Sequence, residues 1–161
     1  MTFDPDAFIN QTTEGPMSVQ ITQAPEGEWQ AVVSTDGELK DWFGTAEWED
    51  RKTGEHKSAP TCEVPIEITD QRAKDLIKRD KITTRYRMFL DLTPDGKLDA
   101  SEGKNVKLGA LRAAVGQNGP QPWNFGMLRG AGPFLARVKQ NSDKKNPEIK
   151  YAEVTRVTKL T

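Results

Sequence analysis

Residues 82–116, ITTRYRMFLDLTPDGKLDASEGKNVKLGALRAAVG, carry the clearest structural pattern of the chain. Apolar and polar side chains alternate over residues 82–92, which predicts a long strand with one buried face. Residues 94–96, Pro-Asp-Gly, predict a turn. Residues 105–116 predict a helix, because their leucines recur three positions apart and a glycine ends the stretch.

This helix makes the most specific structural prediction of the sequence. Asn105 is the expected N-cap, because its short polar side chain can accept a hydrogen bond from the first turn. Lys107 and Arg112 are expected to be exposed. The apolar side chains expected to pack against the sheet are those of Leu108, Leu111 and Val115.

The segments on both sides of this stretch complete a mainly β chain. Before it, strands are predicted at 28–34, 39–48 and 62–68, with an exposed loop at 49–60 and a short surface helix or loop insertion at 70–80. After it come a Gly/Pro-rich loop at 119–132 and a hairpin of strands 134–140 and 149–160. One helix between the third and fourth strands matches a five-stranded Greek-key barrel of the OB type, although other small barrels and α+β sheets share this order.

The first residues differ in composition from the rest. Residues 1–27 are rich in Gly, Pro, Thr and acidic side chains with only short apolar patches, so we expect a loosely ordered N-terminal arm. Residues 28–161 would then form the OB-type barrel domain.

Charge is sorted along the chain. Residues 1–70 hold 4 Lys/Arg against 15 Asp/Glu, residues 71–100 hold 8 against 5, and residues 101–161 hold 11 against 4. A basic second half of this kind points to an anionic partner, most often nucleic acid, or to a solvated basic surface.

Composition and cysteine content favour a cytoplasmic protein. No apolar run approaches the roughly 18 residues that span a bilayer, and the acidic start does not resemble a secretory signal. The one cysteine, Cys62, cannot form an internal disulfide, which fits a reducing compartment.

Catalytic motifs are nearly absent. One Cys and one His, Cys62 and His56, cannot supply a structural zinc site, and no phosphate-binding Gly-Lys loop occurs. A Cys/His nucleophile pair is a weak alternative to a solvated histidine and a buried cysteine. Pro94-Asp95 followed by Glu102-Gly103-Lys104 loosely resembles the carboxylate pattern of metal-dependent nucleases, but a turn and a helix lead-in explain the same residues. We therefore expect no enzyme activity, no metal and no cofactor.

Basic and aromatic residues give the better functional signal, since proteins that hold single strands combine a cationic groove with rings on which bases stack. On the long strand, Arg85 and Arg87 share one face because they lie two residues apart. Arg137 and Lys139 repeat this spacing, so we expect one continuous cationic strip, with the carboxylates of the first half lying mainly elsewhere. The full predicted nucleic-acid-binding set is Arg85, Arg87, Phe89, Trp123, Phe125, Arg129, Arg137, Lys139, Lys150 and Tyr151. Three residues of the second strand could join this set, namely Trp42, Phe43 and Trp48. The candidates for the core are Trp29 and Phe134, with Trp48 as a further core candidate if it is not exposed.

Several segments together resemble a known group of proteins. PEGEWQAVVS (25–34), YRMFLDLTPDGKLD (86–99), GKNVKLGALRAAVGQN (103–118) and GAGPFLARVK (130–139) are similar to segments of small phage-encoded OB-fold single-stranded-DNA-binding proteins. The resemblance covers about residues 25–160 and implies sequence-independent binding of single-stranded DNA during phage replication or recombination, in the cytoplasm of the infected host. The basic end, VTRVTKLT (154–161), departs from the acidic tail with which many such proteins recruit partners.

The sequence thus predicts a non-enzymatic single-stranded-DNA-binding protein. Its expected partners are single-stranded DNA and proteins of replication or recombination, with no membrane, and its oligomeric state stays open, a homo-oligomer included. The alternative is a phage structural or assembly module that uses the barrel for protein contacts and associates head to tail through its charge split. A metal-dependent nuclease is the third interpretation.

Overall fold

The computed structural model describes residues 2–18 and 20–160, which form a mainly β structure with few helices, as predicted. The strands are β1 (Gly27–Val33), β2 (Phe43–Glu49), β3 (His56–Ile68), β4 (Ile82–Phe89), β5 (Phe134–Ser142) and β6 (Lys150–Lys159). The helices are α1 (Pro5–Phe8), α2 (Gln71–Ile77) and α3 (Val106–Ala114), with 3-10 turns at Leu39–Trp42 and Phe125–Leu128.

All six strands belong to one open antiparallel sheet. β3 pairs with β4 along one edge, and along the other edge with β2 in its first half and β1 at its end. From β1 the sheet continues to β5 and then β6. β4 and β6 pack beside each other with no ladder recorded between their described residues, and the Thr84 hydroxyl there donates to the Ala152 carbonyl at 3.0 Å.

The core follows from the alternation of apolar side chains. In β4, every second residue from Ile82 to Met88 is buried and the residues between are exposed, as the sequence predicts. Trp29 and Phe134 are buried as expected. Trp42 is buried as well, which removes it from the candidate binding residues.

Helix α3 lies in the predicted place between β4 and β5. Leu108 and Leu111 are buried against the sheet and Val115 is half-buried, while Gly116 ends the helix with a φ of 76°. Asn105 differs from the prediction, because it has a φ of 50° and makes no capping bond.

The amide of Asn105 instead joins the helix start to the end of β4. Its Oδ1 accepts from the Asp91 N–H at 2.9 Å, and its Nδ2 donates to the carbonyls of Asp91 and Asp99 at 2.9 Å each. The side chain therefore satisfies partly buried backbone groups of the segment that leads into the helix, and its amide is not free to cap the first turn.

The largest difference from the sequence-based expectation is a projecting hairpin. Residues 49–60 were expected to form a loop, but β3 already begins at His56 and pairs with β2 from Glu49 back to Phe43. The predicted strand 39–48 begins instead as a 3-10 turn. Both faces of this hairpin are largely exposed, so its residues carry no apolar alternation from which strands could be predicted.

The N-terminal arm is exposed over residues 2–18, and residues 20–26 lie against the sheet. Gln20 and Gln23 accept hydrogen bonds from the N–H groups of Lys150 and Ala152 at 3.4 and 3.3 Å, so they cover the edge of β6. None of the helices in the described residues has the length and apolarity that crossing a membrane requires.

Candidate nucleic-acid interface

The outward side of β4 presents two arginines and a phenylalanine in line. Arg85, Arg87 and Phe89 alternate with buried residues, so all three project from the same side of the sheet. Their ladder partners on β3 are Pro65, Glu63 and Thr61. Register with β3 therefore decides which side chains surround the two cations.

Glu63 lies between the two arginines and contacts both. Its Oε2 is 2.8 Å from Nη1 of Arg85, and its Oε1 is 3.6 Å from Nε of Arg87. The expectation that first-half carboxylates lie elsewhere is therefore wrong at this position. The sequence could not indicate it, since residues 63 and 85 meet only through the β3–β4 register.

Further carboxylates lie on the β3 side of Arg85. Asp36 pairs with Lys81, whose ammonium group is also 4.0 Å from Glu67. A depression beside Arg85 is lined by several acidic residues of the first half, namely Asp36, Glu38, Asp41 and Glu63. A phosphate chain would be repelled from this side of β4.

Phe89 is not isolated, because the hairpin brings Trp48 beside it. The ring centroids are 6.2 Å apart with an interplanar angle of 71°, an edge-to-face arrangement. Trp48 is 43% exposed and Phe89 57% exposed, so both rings remain available to a ligand. We call Trp48 and Phe89 the stacking pair, and the stacking pair together with Arg85 and Arg87 the β4 face.

The hairpin itself explains why Trp48 reaches this position. Thr61 is the ladder partner of both Phe89 on β4 and Gly44 on β2, so these three residues share one side of the sheet. Trp48 lies four residues after Gly44 and returns to that side. Ala46 and Ala59, paired between them, are small, so no bulky side chain separates the rings.

On its other side the β4 face borders the seam between β4 and β6. A groove of about 610 Å³ is lined there by Arg85, Arg87 and Tyr151, and by two carboxylates, those of Glu63 and Glu153. A second depression of about 480 Å³ continues past Arg87 and Phe89 to Lys107 at the start of α3. Tyr151 is 52% exposed. The structure thus brings four predicted residues, Arg85, Arg87, Phe89 and Tyr151, to one continuous concave surface.

Arg137 and Lys139 lie on β5, one strand beyond the groove that Glu153, the ladder partner of Lys139, helps to line. They are exposed on β5, whose neighbours are β1 and β6, and β6 separates them from β4. The expectation of one cationic strip is therefore wrong, because β4 and β5 follow each other in the chain but are not neighbours in this sheet. The ladder partners of Arg137 are Glu28 and Arg156, and that of Lys139 is Glu153, so no aromatic ring lies directly opposite either cation.

The predicted loop residues have structural partners. Trp123 and Phe125 are half-buried and form an edge-to-face series with Phe43, at centroid distances of 5.0 and 4.9 Å. The Arg112 guanidinium lies 4.5 Å from the Trp123 ring centroid, and Arg112 is consequently half-buried where exposure was expected. These rings fix the Gly/Pro-rich loop against the sheet.

Two further predicted cations lie away from the stacking pair. Arg129 is exposed, but its Nη2 donates to the carbonyl oxygens of Thr35 and Gly37, so it holds the loop in place. Lys150 begins β6 with an exposed side chain, one residue from Tyr151. Successive side chains of a strand point to opposite faces, so Lys150 and Tyr151 project from different sides of β6, and only Tyr151 lines the groove.

The residues considered for catalysis do not form a site. Cys62 is fully buried, which raises the pKa of its thiol to about 12, and His56 lies six residues away along β3, or about 20 Å. Asp95 and Glu102 both lie in exposed turns before α3. In residues 2–18 and 20–160, no group of three or more His, Cys, Asp or Glu side chains could hold a metal ion.

The chain matches no protein-family model, no curated protein and no solved structure. Function must therefore be inferred from the site itself.

Proposed function

We propose that this chain is a non-enzymatic protein that binds single-stranded DNA on the β4 face, in phage replication or recombination. The observation that carries the proposal is the alignment of the exposed stacking pair with Arg87 and Arg85 on one side of the sheet. Rings supply a surface for any base, and arginines supply phosphate contacts, which together suit sequence-independent binding.

The proposal includes an OB-type fold. The order of five strands supports this proposal. Following the pairings from β4, the order is β4, β3, β1, β5, β6, and β6 packs beside β4 again. In this set of five, β1, β3, β4, β5 and β6 take the places of OB strands one to five. Helix α3 lies between β4 and β5, which is the connection between the third and fourth strands of the set. In OB folds the second and third strands bind oligonucleotides. Here those strands are β3 and β4, and the hairpin extends the connection between the first two.

Charge indicates a path for the strand across this surface. The depression on the β3 side of Arg85 holds four carboxylates and one arginine, whereas the groove on the β6 side holds two carboxylates, Glu63 and Glu153, together with both arginines and Tyr151. The groove is therefore the less repulsive path for phosphates. We infer that bases stack on Trp48 and Phe89 and that the backbone continues past Arg87 into the groove toward Tyr151.

The protein-contact alternative has less support. Head-to-tail association was expected to join the acidic half of one copy to the basic half of another. Asp36 with Lys81, and Glu63 with Arg85 and Arg87, already join the two halves inside one chain. Their charges are thus partly neutralised before any second copy is met.

The decisive experiment is a fluorescence-anisotropy titration of labelled oligo-dT at low salt. Wild type is expected to bind, and Phe89→Ala is expected to weaken binding roughly tenfold, since stacking contributes ~1–3 kcal/mol per base. Phe8→Ala is the matched control, because Phe8 has the same 57% exposure as Phe89 but lies in the arm. Equal losses in both variants, or no binding by wild type, would refute the assignment.

A second assay separates binding from hydrolysis. Incubation of single- and double-stranded DNA with the protein and Mg²⁺ or Mn²⁺ is expected to leave their lengths unchanged. Cleavage that requires the metal and is lost in Glu102→Gln would replace the binding proposal with the nuclease.

A further inference from the structure

We propose that Glu63 is an internal competitor of the phosphate backbone, which limits the affinity of the β4 face for single-stranded DNA. This inference rests on the proposed function. It identifies a residue that lowers affinity, which neither the charge pattern nor the spacing of the arginines indicates.

The geometry places this one carboxylate against both cations of the site. Each of its oxygens contacts a different arginine, Oε2 with Arg85 at 2.8 Å and Oε1 with Arg87 at 3.6 Å. The Glu63 side chain is 34% exposed, whereas those of Arg85 and Arg87 are 69% and 56% exposed. The guanidinium groups are therefore open to solvent and can exchange Glu63 for another anion without any change in the strands.

Binding of a phosphate must compete with these contacts. A phosphate that binds Arg85 displaces Glu63 and places a second negative charge near its carboxylate. The displaced carboxylate then binds a cation from solution. This uptake offsets part of the counterion release that accompanies phosphate binding. Glu63 is expected to lower both the affinity and its salt dependence.

Glu63→Gln tests this directly, because glutamine keeps the size of the side chain and removes its charge. Titration of labelled oligo-dT is expected to show roughly 1.4- to fivefold tighter binding, the range that an exposed ion pair of about 0.2–1 kcal/mol corresponds to. The slope of log K against log salt is expected to steepen by about 0.7 for each phosphate contact released from competition.

The matched control is Glu28→Gln, which makes the same charge change beside the other cation pair. Glu28 is the β1 ladder partner of Arg137, on the surface separated from β4 by β6. Glu28→Gln is expected to leave both the affinity for oligo-dT and the slope of log K against log salt unchanged. Glu28→Gln and Glu63→Gln should both retain the wild-type circular dichroism spectrum and melting temperature.

The outcomes separate the two proposals. Binding by wild type with equal or weaker binding by folded Glu63→Gln would overturn the competitor role and leave the binding function in place. Tighter binding by Glu28→Gln but not by Glu63→Gln would move the site to β5. No oligo-dT binding by wild type or by Glu63→Gln would overturn both proposals.

Discussion

Two strands of this protein carry the same short pattern of outward cations, and their surroundings differ. On β4, Arg85 and Arg87 contact Glu63 and line a groove with it, and they lie in line with two exposed aromatic rings. On β5, Arg137 and Lys139 form no ion pair with a described residue, and no ring lies opposite them. The β5 cations are thus less often paired with carboxylates, whereas the β4 cations lie beside exposed rings on which bases of a single strand could stack.

This difference shows that a count of exposed cations does not locate a binding surface. Free cations attract any polyanion, but stacking requires rings that are both exposed and held in place. The hairpin supplies such a ring to β4 and none to β5. The following predictions test whether the rings or the free cations determine where DNA binds.

The largest effect is expected from removing both rings. Trp48→Ala with Phe89→Ala should weaken oligo-dT binding on the order of a hundredfold, because two stacked bases are each worth ~1–3 kcal/mol. Anisotropy titration measures the loss. A change below threefold, with the fold intact by circular dichroism, would mean that the rings do not stack on bases.

A smaller effect is expected from the cations, and it should differ between the strands. Arg85→Ala with Arg87→Ala should weaken binding about tenfold, or ~1.4 kcal/mol, whereas Arg137→Ala with Lys139→Ala should change it less than about twofold. Both double variants lose the same charge, so each controls for the other. The reverse order of the two losses would assign the site to β5.

Salt dependence should distinguish the two strands in the same way. Each phosphate contact to a single strand contributes a slope of about −0.7 to log K against log salt. The β4 double variant should therefore flatten the slope by up to ~1.4, and the β5 double variant should leave it unchanged. An equal flattening in both would indicate long-range attraction without a defined path.

The smallest expected difference concerns stability. Loss of Arg85 and Arg87 leaves Glu63 without its partners and should lower the unfolding free energy by at most about 1 kcal/mol, because all of these groups are partly solvated. Loss of Arg137 and Lys139 should have no measurable effect. Urea denaturation of the two double variants compares them, and a large loss in the β4 variant would mean that its binding defect reflects unfolding.

The sequence predicts local features well and neighbours poorly. The alternation from Ile82 to Phe89 identified both the buried side of β4 and its outward cations, and the leucines of α3 identified its buried side. These features depend on residues close in the chain. The hairpin of β5 and β6 was likewise predicted from neighbouring segments. The pairing of β5 with β1, and the approach of Glu63 to Arg85, depend instead on register between strands that are distant in the chain.

The hairpin is the clearest case of information that the sequence did not hold. Its residues are exposed on both faces, so burial imposes no alternation, and backbone pairing alone maintains the strands. The position of Trp48 beside Phe89 could for that reason not be inferred, and Trp48 was equally a candidate for the core. For Trp123 and Phe125 the sequence left exposure and burial equally open. Both are half-buried, because Phe43, distant in sequence, packs on Phe125 and Arg112 packs on Trp123.

The most direct test of the account is tryptophan fluorescence during titration with oligo-dT. Trp29 and Trp42 are buried and Trp123 is half-buried, which leaves Trp48 as the exposed indole among the four. Stacking of a base on Trp48 should quench emission in wild type and in Trp123→Phe, and this quenching should be lost in Trp48→Phe, which still binds through its phenyl ring. Quenching that persists in Trp48→Phe and disappears in Trp123→Phe would contradict the account and place the DNA on the loop.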